Sequence, residues 1–148
     1  MRDKLAEVES VITKITQDNI KYKNQIDEIQ LNHERQVDAL ILEIINILDA
    51  FDKACAIVEE KGYCANDDAV KAVKRMKQPQ KVAMSILSKY NVTQIDMQGQ
   101  IIKDDYCTVA DTEPDPSKED GYVISVVKNG YLRGERLIRR AEVVIVRN

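Results

Sequence analysis

Apolar positions near the start of the chain advance by steps of three and four: Leu5, Val8, Ile12, Ile15, then Tyr22, Ile26, Ile29 and Leu40, with Asn19, His33 and Gln36 in the same register. This is a heptad repeat sustained over about five heptads without Gly or Pro. A lone helix cannot bury such a stripe, so residues 1–38 are expected to form a coiled-coil dimerisation helix. Leu5, Ile12, Asn19, Ile26, His33 and Leu40 take the a phase, and Val8, Ile15, Tyr22, Ile29 and Gln36 the d phase. β-Branched a residues favour two parallel strands, and an a-position Asn fixes register against its symmetry mate. Lys4 against Glu9 and Asp18 against Lys23 supply complementary flanking charges in the parallel arrangement. Tyr22, His33 and Gln36 are poor knobs, so the second half of the coil is expected to be its weak part.

From Ala39 the helix becomes apolar around much of its circumference, through Leu40, Ile41, Leu42, Ile44, Ile45, Ile47, Leu48 and Phe51. That pattern suits a bundle better than a two-stranded seam. Ile44 and Leu48 join the dimerisation set on this reading. Gly62 is expected to stop the helix as its C′ residue, and Asn66-Asp67-Asp68 to cap a second one, which Pro79 kinks or restarts. Residues 39–91 thus read as a helical hairpin, two of which make a four-helix bundle in a dimer.

Beyond Asn91 the period shifts towards two and β-branched residues rise. Strands are expected at 93–95, 100–102, 107–109, 122–127 and 142–146, with a hairpin turn at Asn129-Gly130 and a mobile acidic loop over 111–120. The predicted fold class is α+β: a long parallel dimeric coiled-coil helix, a helical hairpin and a small all-β domain at 92–148.

Composition narrows the chemistry. Aromatic residues make up 5% of the 148 and Trp is missing, which argues against a large compact core, while 32% charged residues suit solvated helices. A formal charge of −3 opposes general nucleic-acid binding. The charge is unevenly spread: residues 104–120 carry seven acids and one base, and residues 128–148 six bases and two acids. Two solvated faces explain that spread, as does a basic surface for an acidic protein partner.

No run of residues approaches a membrane span, and the opening Met1-Arg2-Asp3-Lys4 has no apolar signal core. Cys55, Cys64 and Cys107 form no framework, which suits a reducing compartment, the cytoplasm or the interior of an organelle, with a cytoplasmic setting expected. The single His lies in the seam, the five Gly residues match neither a P-loop nor a dinucleotide fingerprint, and Asp104 and Asp105 point to opposite faces if they lie on a strand. No enzyme, metal site or cofactor is expected.

Three segments carry a family resemblance. Leu42-Glu43-Ile44-Ile45-Asn46-Ile47-Leu48-Asp49-Ala50-Phe51-Asp52-Lys53-Ala54 resembles the "LLELLPVLDNLERA" segment of GrpE-type nucleotide exchange factors. Lys89-Tyr90-Asn91-Val92-Thr93-Gln94-Ile95 is similar to their "KFGVEEI". Val126-Val127-Lys128-Asn129-Gly130-Tyr131, followed by Arg136-Leu137-Ile138-Arg139-Arg140-Ala141-Glu142-Val143, resembles "VLQKGY…RVLRPAMV". The resemblance implies a homodimer that binds the ATPase domain of a DnaK-type heat-shock chaperone, opens its nucleotide cleft and promotes ADP release. It points to Arg136, Arg139, Val127, Ile145, Ile102 and Lys53 as partner contacts. Val127 and Ile145 fit an ordinary β core equally well, and Arg139 a surface residue supporting the fold.

The sequence departs from the family pattern at Ile102–Val109, at Arg75, at Pro79 and at Arg140. The alternative implied by those departures is a coiled-coil scaffold or adaptor that keeps the fold and lacks exchange activity.

Overall fold

A computed structural model describes residues 2–63, 66–103 and 105–148. Met1, Cys64 and Asp104, all noted on the sequence, lie outside the described residues. The architecture is α+β. Helix α1 runs Arg2–Glu60, α2 Asp67–Met76 and α3 Gln78–Lys89; the strands are β1 Val92–Ile95, β2 Cys107–Glu113, β3 Val123–Lys128, β4 Gly130–Arg133, β5 Arg136–Arg139 and β6 Ala141–Val146. Two compact units are distinguished, Met1–Leu40 and Ile41–Asn148.

The first unit is the N-terminal part of α1, up to Leu40. The apolar seam residues Leu5, Val8, Ile12, Ile15, Tyr22, Ile26 and Ile29 are 54–67% exposed, and Asn19, His33 and Gln36 are exposed with them. A row of large exposed apolar residues broken only by Asn19 between Leu5 and Ile29 is far beyond the scattered single residues that a surface normally carries.

In the second unit α1 turns one face inward. Ile41, Ile45 and Leu48, spaced by four and three, are 4% exposed or less. They belong to the same buried set as Leu87 on α3, Val92 on β1 and Tyr131 on β4. Ile44 is half-buried. Leu48, grouped with the dimer seam on the sequence, is closed off inside its own chain at 2% exposure. The exposed apolar residues flanking it are Leu40 and Ile47.

Helix boundaries follow local chemistry. Gly62 takes φ +63; its N–H donates to the Glu59 carbonyl at 3.2 Å and the Tyr63 N–H to the Val58 carbonyl at 3.2 Å. Those paired bonds form a Schellman stop with Gly62 at C′, which a side chain would oppose. Asn66 caps α2 by accepting from the Ala69 N–H at 2.8 Å. Lys77 separates α2 from α3, and Pro79 sits in the first turn of α3, so it restarts the helix.

The strands form two three-stranded sheets, ordered β1-β4-β5 and β2-β6-β3. The first is antiparallel throughout. In the second, β6 is central, parallel to β2 and antiparallel to β3. Its inward residues are wholly buried, and Met97, Cys107, Val123, Ala141 and Val143 make the core, with Ile95, Ile102, Val126 and Ile145 packed around it.

Four expectations for this region need correction. The Asn129-Gly130 pair is not a hairpin turn: β3 before it and β4 after it belong to different sheets. Gly130 is instead required by proximity, because a Cβ there would stand 2.6 Å from the Ala141 nitrogen. The actual hairpin joins β4 and β5 through Gly134-Glu135, where Gly134 has φ +59; these two strands were not foreseen. The strand expected at 100–102 reduces to one bridge, Ile101 to Tyr122, and β2 continues through Asp111 to Glu113 where a loop was expected.

Candidate functional site: a clamped face between α1 and the β sheets

Asp49 interrupts the apolar part of α1 one residue after buried Leu48. Its carboxylate receives Arg139 of β5 through two parallel bonds, from Nη1 at 2.5 Å and Nη2 at 2.8 Å. The side chains are 14% (Arg139) and 22% (Asp49) exposed. This is the fork-to-fork geometry in which an arginine gains both energy and direction. Arg139 also donates to the Asn129 carbonyl from Nε at 3.1 Å and Nη2 at 2.8 Å, and its guanidinium lies 5.5 Å from the centre of the Tyr131 ring.

Asp52, one turn further along α1, extends the network. It accepts from Gln80 of α3 and, at 3.3 Å, from the Asn129 side-chain amide. Lys77 donates to Glu59 at 2.8 Å, and that bond raises the Lys77 ammonium above its usual range. Asp49, Asp52 and Tyr131 were not singled out as site residues on the sequence, and Asn129 was read there only as part of a turn. The available signal was weak: Asp49 is one of three carboxylates, with Glu43 and Asp52, in a stretch rich in aliphatics, and nothing local marks it as the one that needs a cationic partner.

Tyr131 is 1% exposed, its hydroxyl 4.0 Å from the Met84 sulfur. Burial pushes the phenol above its ordinary value; the Arg139 charge opposes this, and Asp49 and Asp52 add to it. A raised phenol stabilises the fold fully below about pH 10, and that contribution is lost as pH climbs through the titration of the folded state. Tyr131→Phe is therefore expected to flatten alkaline denaturation, losing less stability than the parent chain above about pH 10. Thermal melts of both chains across that range measure the difference.

Beside the clamp runs an open groove between α1 and β3, lined by Asp49, Lys53, Val127, Lys128, Asn129 and Glu142 among others. Lys53 is exposed and Val127 is 61% exposed, an unusual placement for a strand aliphatic. Lys128 and Glu142 pair across β3 and β6 at 3.9 Å. Arg136 is exposed at the start of β5, opposite Arg133. The six residues expected to meet a partner thus divide. Lys53, Val127 and Arg136 are exposed, Ile102 and Ile145 pack on the β core, and Arg139 is committed to Asp49 and Asn129. Among the described residues, no group of three His, Cys, Asp or Glu could hold a metal ion, and no helix is long and apolar enough to cross a membrane.

A family model described as GrpE matches residues 1–147, nearly the whole chain. The chain belongs to the GrpE family. It is similar to Protein GrpE of Shewanella loihica, 25% identical over 129 residues that cover 86% of this chain and 60% of that protein. It is also similar to Protein GrpE of Francisella tularensis subsp. holarctica (strain OSU18), 23% identical over 155 aligned positions covering 99% of this chain and 77% of that one. The match takes in both the heptad helix and the β strands of this GrpE-family chain, so the long helix, the hairpin and the two small sheets are the family's parts in the family's order.

Proposed function

We propose that this GrpE-family chain is a nucleotide exchange factor: it binds the ATPase domain of a DnaK-type chaperone, favours the open cleft and promotes ADP release. The observation that carries this reading is the family match running without a break from the coiled-coil helix through β6. Exposed Lys53, Val127 and Arg136 support it, since a cation, an aliphatic and a second cation on one compact unit suit an acidic, partly apolar protein surface. Exchange of this kind makes and breaks no covalent bond, so the chain needs no catalytic residue. It works by differential affinity: a factor that prefers the open state weakens nucleotide binding, and nucleotide weakens the factor by the same ratio.

The working form is a parallel homodimer, with residues 1–38 as the coil, 39–91 as the bundle and 92–148 as the chaperone-binding domain. Two exposures favour it. One is the seam from Leu5 to Ile29. The other is a mostly apolar groove on the second unit formed by Ile47, Ala50, Phe51, Ala54 and Met76, with Glu43 and Asn46 also lining it, which a second hairpin would fill to complete four helices.

Release of a fluorescent ADP analogue from the chaperone's ATPase domain is the test. A sub-stoichiometric amount of this protein is expected to accelerate release, since a factor that favours the open cleft weakens the hold on nucleotide. Arg136→Glu is expected to weaken the effect about tenfold or more, as for a hot-spot arginine. No acceleration by the intact protein ends this reading. Stable binding without faster release selects the second reading, a scaffold or adaptor, which is favoured by the divergent Ile102–Val109 stretch and the burial of Ile102 against the core.

A further inference from the structure

We propose that Asp49 and Arg139 form a positioning clamp that holds the exposed partner-binding residues in their working arrangement, with Arg139 acting inside the chain; this rests on the exchange reading above. The clamp has three anchors, and each is close in sequence to an exposed contact residue. Asp49 lies four residues before Lys53, one turn along the same helix face. The Asn129 carbonyl, which accepts twice from Arg139, follows Val127 by two residues. Arg139 closes the strand that Arg136 opens, about 10 Å away at strand spacing.

One guanidinium therefore ties together the helix that carries Lys53, the end of the strand that carries Val127 and the hairpin that carries Arg136. Four of its N–H···O contacts are made within the chain, to Asp49 and Asn129, and Tyr131 covers its face. At 14% exposure, little of its charge is offered outward. The hairpin also has a second tether, because the Gly134 N–H in its turn donates to the Asn91 carbonyl at 2.9 Å. With the turn pinned at one end and Arg139 at the other, β5 is fixed over its length; loss of Arg139 frees that end, and loss of Asp49 cuts its tie to α1 and leaves it held through Asn129 alone.

The experiment uses the full chain as Asp49→Asn, as Arg139→Asp, and as the charge-swapped double variant Asp49→Arg with Arg139→Asp. Two readouts are taken: hydrogen exchange of the Leu132 and Leu137 amides against those of Val143 and Val144 in β6, and ADP-analogue release titrated against factor concentration. Asp49→Asn is expected to speed hairpin amide exchange about tenfold or more, the loss expected for a charge-assisted hydrogen-bonded pair, while β6 stays protected. It is expected to raise the half-saturating concentration by a similar factor and leave the maximal rate of release unchanged. The double variant is expected to recover both.

Unchanged hairpin exchange in Asp49→Asn overturns the clamp. Recovery of amide protection without recovery of release in the double variant also overturns it, since Arg139 would then be touching the partner. An active parent chain with unaltered titration in Asp49→Asn removes the positioning role and leaves the exchange reading standing. A parent chain that never accelerates release removes the exchange reading and the positioning role together, while the amide data still report on the ion pair itself.

Discussion

Gly130→Ala is expected to destabilise the second unit by about 3 kcal/mol, at the upper end of the range for overpacking a filled interior. The added methyl group would stand 2.6 Å from the Ala141 nitrogen and 3.1 Å from its Cα, with the Ile95 Cδ1 at 3.0 Å. The Ile95 methyl can rotate away. The Ala141 backbone cannot, because Ala141 is fully buried, pairs with Cys107 of β2 at the start of the central strand β6, and donates its N–H to the Tyr106 carbonyl at 2.9 Å. Something larger than a side chain has to move, and the nearest movable part is the start of β4. That shift would carry Asn129 with it and lengthen the bonds from Arg139 to the Asn129 carbonyl. Urea melts measure the loss: the midpoint should fall with the slope unchanged. A variant melting at the parent midpoint would show that β4 and β6 do not approach so closely.

Ile12→Asp combined with Ile26→Asp is expected to convert the proposed dimer to single chains at micromolar concentration. Both residues occupy a positions of the heptad reading and are more than half exposed on one chain, so in the proposed dimer the partner helix would remove them from water. Each substitution forfeits about 2 kcal/mol of aliphatic burial per chain and places a carboxylate in the seam, where charge is strongly disfavoured. A helix released from its partner loses most of its reason to stay helical, since helical stability in proteins comes mainly from packing. Sedimentation equilibrium should report the mass of a single chain. Circular dichroism should show reduced helix, while Tyr131 stays in its folded environment. A variant that remains dimeric would place the association elsewhere, for example in the groove around Ile47 and Phe51.

The helices were largely legible because their signals are local. Gly62 needs its positive φ, Asn66 offers an acceptor where an N–H lacks one, and Pro79 cannot sit in a helix interior; each acts within one turn of itself. Leu48 was misjudged because periodicity gives the apolar face of a helix but not whether the neighbour covering it comes from the same chain. The sheets were harder to read. Asn129-Gly130 carries the pattern of a tight turn, yet Gly130 is small there because β6 passes against it, a fact that arises eleven residues later in the chain. The true turn, Gly134-Glu135, lacks the Asn-Gly signature. The Asp49–Arg139 pair spans ninety residues of sequence, and nothing local in either segment announces the other. Family resemblance drew attention to Arg139 but carried no information about which way its charge points.

The placement of β6 has a consequence for how the protein is made. It is the last of the six strands to leave the ribosome, yet it stands in the middle of its sheet, with β2 and β3 on its flanks. Until it emerges, Cys107–Glu113 and Val123–Lys128 lack the strand that each of them pairs with. Synthesis therefore leaves two aliphatic-bearing strands waiting with open edges, the kind of nascent intermediate most prone to misassociate.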